Sequence, residues 1–320
     1  LQLPEAFCHS SAQQQATHED YTLKLILDSS LTQALQQQFA DQGIEPKHVA
    51  SLIRPLPAQK LFTHNQLDYT PILQQIISSQ CDADRMDYLR RDSFFAGVDY
   101  GKFDADWLMH NVVPIQKEGA VYLGILGRAL FAFEDFLLSR YHMFSAVYLH
   151  HTPVLFGELL RRCFCSLGDS FALPADVEGY LSIDDITVWN TLRTSLNPWA
   201  RLIVQRRPYH LLIEHRGKKQ QHDDVDLQHL HAHLVQQELE PVMIDSQSTL
   251  VQSRATTNEL YVLTATGTTM PLQDYTPLYQ RYKHPACFQR IYVPMDQKRN
   301  ANKILAAWKQ KYSMKSYASV

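Results

Sequence analysis

The 320-residue chain contains only five cysteines: Cys8, Cys81, Cys163, Cys165 and Cys287. An odd number without regular spacing excludes a disulfide framework, and Cys163-Phe164-Cys165 is too tight for a C-x-x-C metal knuckle. Reduced, partly buried thiols of this kind fit a cytoplasmic protein. No apolar run approaches the roughly 18 to 20 residues that span a bilayer, and no secretory signal is recognisable. An excess of one charge is also lacking. The formal net charge is -3, which argues against a protein that coats nucleic acid. Neither a P-loop nor a G-x-G-x-x-G turn occurs, so kinase-like and Rossmann phosphate sites find no support. The sole His-Asp pair, His222-Asp223, lies in a hydrophilic stretch far down the chain.

The richest segment runs from Cys81 to Gly97. Seven ionisable side chains and one phenol fall within the eleven residues Asp82 to Asp92. In a helix each residue turns by about 100°, so residues four apart nearly eclipse. Asp84, Tyr88 and Asp92 then share one narrow stripe flanked by Arg85 and Arg91, while Met86 and Leu89 point away. Most such faces are solvated surfaces laced with ion pairs. The other reading is chemical: carboxylates, cations and a phenol together suit a metal-bound phosphate ester.

The run Asp82-Ala-Asp84-Arg85-Met-Asp-Tyr88-Leu-Arg-Arg-Asp92, followed by Gly97, resembles the D-x-D-R/K-x-D-Y-x-x-R-D signature of HD-domain phosphohydrolases, in particular the deoxynucleoside triphosphate triphosphohydrolases and their bacterial relatives. Upstream, Thr17-His18-Glu19-Asp20-Tyr21-Thr22 is similar to that family's helix-opening H-E pair. Downstream, the stretch containing Arg140, Tyr148, His150 and His151 resembles its a-R-y…V-Y-x-H-K-t helix, with His151 where a Lys is usual. The resemblance extends from about Thr17 to His215.

What this resemblance implies is specific. Asp84 matches a metal ligand, and the cofactor is a divalent metal: Mn, Mg, Fe or Zn. Arg85 and Arg140 contact the triphosphate, Tyr88 sits between phosphate and sugar, Asp92 lies near the 3′-hydroxyl, and Tyr148 stacks or bonds near the sugar. His18 carries a catalytic proton, a role for which imidazole is well matched near neutrality. Plain structural readings stand beside these: Asp92 paired with Arg91, His18 paired with Glu19 or Asp20, and Arg140 as a buried structural cation. The expected substrate is a deoxynucleoside triphosphate or a related phosphorylated small molecule, and the expected assembly a homo-oligomer. Neither nucleic acid nor a membrane is indicated as a partner.

The family's early His and adjacent His-Asp metal ligands normally precede the H-E pair. The chain begins at Leu1, which reads as a fragment starting just past that motif; alternatively Phe7-Cys8-His9 is itself the family's F-S-H element and Leu1 to Pro4 a degenerate remnant of the metal motif. Either way this polypeptide alone is expected to show little activity. The rival to an enzyme is an inactive HD-fold protein that binds nucleotides and regulates a partner; the rival within enzymes is a phosphodiesterase or nucleotidase acting on another phosphorylated small molecule.

The expected fold is mainly α: an HD-type helical domain over 1–216, lacking its N-terminal portion, and a small α+β domain over 217–320. Apolar spacing predicts helices at about 21–39, 46–54, 67–79, 81–92, 104–111, 127–150, 153–167, 183–195 and 197–206. Thr17 reads as an N-cap with Asp20 completing a capping box. Residues 122–126 suit a strand or a turn. After the linker Gly217–Asp224, a helix at 226–238 precedes strand-like runs at 241–245, 260–265 and 290–294 and a last helix at 298–311. The alternation His229, His231, His233 offers an i,i+4 imidazole pair but no complete metal motif.

Overall fold

Helix boundaries in the computed structural model follow local capping chemistry. The structure describes residues 3–4, 7, 16–56, 60–167, 172–217, 223–248, 259–278 and 286–311. The expected helix at 21–39 is two helices, His18–Leu27 and Ser30–Phe39. The second has its own cap: the Ser29 hydroxyl accepts from the Leu31 amide at 3.0 Å, and the Thr32 hydroxyl accepts from the Ser29 amide at 2.9 Å. A new cap satisfies the amide groups that a helix start leaves open, so a break here costs little. The Thr17 box forms as expected, with the Asp20 carboxylate accepting from the Thr17 amide at 2.7 Å.

The chain is mainly α and divides into two compact units, each drawn from three segments. The first comprises Leu1–Leu137, Leu173–Asp184 and Gln252–Gln280. Leu23, Ile26 and Ala50 form a buried cluster against Leu35, Val49 and Ile53. Helices Pro46–Ile53, Thr70–Ile77, Ala83–Ala96 and Ala105–His110 continue the unit. A six-stranded sheet joins them; of its strands the sequence suggests those near 122–126 and 260–265 and not the others. Its hairpin Val112–Lys117/Ala120–Leu126 turns at Glu118 and Gly119, both at positive φ, the geometry of a tight hairpin turn. Ala120–Leu126 also pairs in parallel with Tyr261–Leu263. Buried Gln75 ties the join: its amide donates to the Glu259 carbonyl at 2.8 Å and its oxygen accepts from the Leu123 amide at 2.7 Å.

The second unit comprises Leu138–Ala172, Asp185–Val251 and Arg281–Val320. Its three antiparallel strands, His210–Gly217, Ala286–Val293 and Val242–Ser248, place Ala286–Val293 at the centre. Successive side chains of that strand alternate between faces. Ile291 and Val293 pack with Leu227, Leu230, Leu234 and Leu305 of helices Asp223–Gln236 and Lys298–Lys311. Tyr292 packs with Leu155 and Leu159 of helix His151–Leu167, and with Trp199 and Ile203 of Pro198–Val204. The boundary expected at 216/217 does not coincide with this division, because His210–Gly217 pairs with the tail strand Ala286–Val293. Residues 218–222 of the expected linker lie outside the described residues.

Candidate functional site

The segment singled out in the sequence is helix Ala83–Ala96, fixed at both ends. Asp82 is the N-cap: its carboxylate accepts from the Arg85 amide at 2.8 Å and the Ser79 amide at 3.0 Å. Burial pushes the Asp82 carboxyl above its ordinary range, opposed by those amides and by the Arg85 guanidinium. Gly97 closes the helix at φ 68°, a left-handed conformation that glycine adopts without penalty. Leu89 and Ser93 are buried, and the Ser93 hydroxyl accepts from the Gly101 amide at 3.1 Å while donating to the Val98 carbonyl at 2.5 Å. Gly101 lies so close that an added Cβ would stand 2.0 Å from the Leu89 carbonyl oxygen. One side of the helix is thereby seated.

Asp84 is exposed, and Tyr88 and Asp92 are half-buried. Arg85 turns back to Asp82 at 3.4 Å. Arg91 pairs with Asp87 at 3.0 Å and with Asp92 at 3.2 Å, so the ion pair weighed for Asp92 exists. A hollow of about 890 Å³ lies beside the same helix, lined by Met86, Arg90, Phe94, Phe95, Lys102 and Phe103 among others. None of Asp84, Tyr88 and Asp92 lines it.

His18 is the exposed first residue of His18–Leu27. Its side chain makes no hydrogen bond or ion pair among the described residues, so the pairing weighed with Glu19 or Asp20 is absent there. Nor is it joined to the Asp84 stripe by such a bond. The turn that carries it is rigid, because buried Asp20 accepts from Thr17 and pairs with Arg54 at 2.7 Å. Burial works to raise the Asp20 carboxyl, but the Thr17 and Arg54 donors outweigh it and hold the group at about 2. A folded pKa below the unfolded value near 3.8 stabilises above that value and is lost as pH falls towards 2. Asp20→Asn should therefore cost about 2 kcal/mol at pH 7. In urea titrations the gap from the native protein should close as pH drops from 4 to 2.

Arg140 and Tyr148 belong to the second unit. The expected continuous helix at 127–150 is a 3-10 turn Gly127–Ala129, an α-helix Leu130–Met143 and a π-turn Phe144–Tyr148. Its i→i+5 bonding is seen in Leu149, whose amide donates to the Phe144 carbonyl at 2.8 Å; such wider turns recur at functional sites. Arg140 is 3% exposed, its guanidinium 5.7 Å from the Phe144 ring, which in turn lies 5.0 Å from the Tyr148 ring. Arg140 is thus buried, as its plain structural reading expects.

Among the described residues no three His, Cys, Asp or Glu side chains converge to hold a metal. The residues present do not by themselves fit the divalent ion implied for Asp84. Cys8 and His9 of the expected F-S-H element lie outside the described residues, as does His222. His231 meets the Pro241 carbonyl at 3.3 Å, and His233 lies 5.3 Å from the Trp308 ring, a packed helix face. Among the described residues no helix is long and apolar enough to cross a membrane.

The polar-striped helix lies in the first unit, and the second unit packs helices on a three-stranded sheet. Residues 103–284 match the HD associated region, and the chain belongs to this family. It is 35% identical over 139 residues to an uncharacterized protein of Methanocaldococcus jannaschii, covering 43% of this chain and 30% of that protein. With the uncharacterized protein YwfO of Bacillus subtilis it shares 36% identity over 150 residues, 45% of this chain and 30% of that protein. The matches thus span about a third of these curated relatives. Two solved structures share the fold. A hypothetical protein from Aquifex aeolicus aligns with a TM-score of 0.71 at 24% identity, over 91% of this chain and 72% of its own. A phosphohydrolase from Bacteroides thetaiotaomicron aligns with a TM-score of 0.58 at 16% identity, over 88% and 73%.

Proposed function

We propose that this chain contributes to a metal-dependent phosphohydrolase that cleaves deoxynucleoside triphosphates to nucleoside and inorganic triphosphate. The observation that carries the reading is the helix Ala83–Ala96: capped at both ends, seated through Leu89 and Ser93, with Asp84 exposed. A seated helix holds its free carboxylate in place before any ligand arrives, which is what preorganised catalysis requires.

In the net reaction a water oxygen ends on the α-phosphorus, the bond from that phosphorus to the sugar 5′-oxygen breaks, and the 5′-oxygen gains a proton. Within this proposal His18 supplies or relays that proton. Asp84 would be one ligand of a divalent ion, which when bound would supply Lewis-acid activation. Arg85, Tyr88 and Asp92 are assigned to the phosphates and sugar. Arg140 and Tyr148 keep their expected roles toward phosphate and sugar in the same proposal, as do a homo-oligomeric assembly and a cytoplasmic setting.

The test is release of inorganic triphosphate from deoxynucleoside triphosphates by the natural full-length protein with Mn²⁺ or Mg²⁺. Stoichiometric nucleoside and triphosphate support the reading. Nucleotide binding without turnover supports an inactive regulatory protein instead, and release of monophosphate supports a different phosphohydrolase.

A further inference from the structure

The central strand of the second unit sends two side chains to one distant corner. Arg290 and Tyr292 are two residues apart and so share a face of Ala286–Val293. The Arg290 guanidinium donates to the Leu149 carbonyl at 2.6 Å, and the Tyr292 hydroxyl donates to the His151 carbonyl at 2.9 Å. These two carbonyls flank exposed His150, directly after the π-turn that ends at Tyr148. His150 Nδ1 in turn accepts from the Thr152 amide at 3.3 Å, capping the start of His151–Leu167. Accepting there leaves Nε2 as the protonated nitrogen of the neutral ring.

The holders are themselves held. Arg290 is 1% exposed, paired with Glu214 at 2.6 Å and set 4.7 Å from the Phe288 ring. Glu214 also takes Arg216 at 2.6 Å. A corner pinned on both sides by buried groups cannot drift with the exposed loop surface around it.

We infer that Arg290 and Tyr292 are positioning residues that fix the Tyr148–His151 corner for ligand binding. This rests on the proposed contact of Tyr148 with the sugar of a phosphorylated substrate. Tyr292→Phe removes one hydrogen bond and keeps the ring in the core, so the fold survives. In the natural full-length protein acting on deoxynucleoside triphosphates it should raise KM about five- to tenfold with kcat within about twofold, the pattern of lost uniform binding. In a Tyr148→Ala background the same change should add almost nothing, because the residue being positioned is gone. In ¹⁵N-histidine spectra, His150 should show a fixed Nε2–H tautomer in the native protein and an averaged signal in Tyr292→Phe.

An unchanged KM in Tyr292→Phe, beside a raised KM in Tyr148→Ala, overturns the positioning role and leaves the functional reading intact. If neither substitution moves KM in an active enzyme, Tyr148 does not meet the substrate and the inference falls with it. If turnover is absent, the functional reading fails on its own; the His150 signal then decides, and an unaltered signal in Tyr292→Phe refutes the clamp.

Discussion

Asp84→Ala in the natural full-length protein should reduce triphosphate release by about three orders of magnitude, since a bound metal supplies several kcal/mol of transition-state stabilisation. The structural cost should be small. Asp84 is exposed in the first turn of Ala83–Ala96, where a carboxylate gains only a fraction of a kcal/mol, about 0.5, from the helix dipole. Loss of turnover with an unchanged urea midpoint therefore isolates chemistry from folding. Asp84→Asn sharpens the test, since it keeps size and polarity but loses the charge that an ion requires. Substitution of Asp82 should behave oppositely: that buried N-cap accepts two amides, so Asp82→Ala should lower stability by about 1 to 2 kcal/mol. Turnover by Asp84→Ala equal to that of the native enzyme would remove Asp84 from the metal site.

Arg290→Ala should destabilise the second unit by about 3 to 5 kcal/mol, because it strands the buried Glu214 carboxylate. Glu214 is 6% exposed and its remaining partner, Arg216, is a largely exposed side chain. Burial pushes the Glu214 carboxyl up, but Arg216 and Arg290 together pull it below its ordinary value. The pair therefore stabilises above the unfolded carboxyl range and loses that contribution as pH falls through the depressed folded value. In Arg290→Ala the penalty should be greatest near neutrality and shrink in acid, where the stranded carboxyl takes up a proton. Replacing both partners with apolar residues, Arg290→Met with Glu214→Leu, should recover much of the loss, since no buried charge is left over. Urea unfolding at pH 7 and pH 4, followed by tryptophan fluorescence, checks this; Trp189, Trp199 and Trp308 report on the second unit. A single-variant loss under about 1 kcal/mol would mean that the pair is effectively solvated.

The helix that carries the Asp84 stripe was legible from local pattern. The spacing Asp84, Tyr88, Asp92 against Met86 and Leu89 placed a polar stripe opposite a seated face, and the helix Ala83–Ala96 has that arrangement. The Thr17–Asp20 capping box was readable because both partners lie three residues apart. The Ser29–Thr32 box has the same spacing, yet the flanking apolar rhythm suggested one unbroken helix. Where two local signals compete, periodicity extends a helix and a cap restarts it. The π-turn at Phe144–Tyr148 carries no such signature, since the same residues suit an ordinary α-helix. His210–Gly217 was also missed: its strand form depends on a partner more than seventy residues away, with Glu214 bonded to Arg290 across a separation of 76.

By itself the sequence determined where most helical segments lie, that Thr17 caps the first of them, and which side of Ala83–Ala96 bears charge, because each depends on neighbours within one or two turns. Tertiary structure alone decided that Arg140 is enclosed. It alone decided that Arg290 and Tyr292 reach the corner around His150, 141 residues back along the chain. Long-range pairs of this kind leave no periodic trace: strand register and sheet order, which no single segment encodes, bring their atoms within hydrogen-bonding distance.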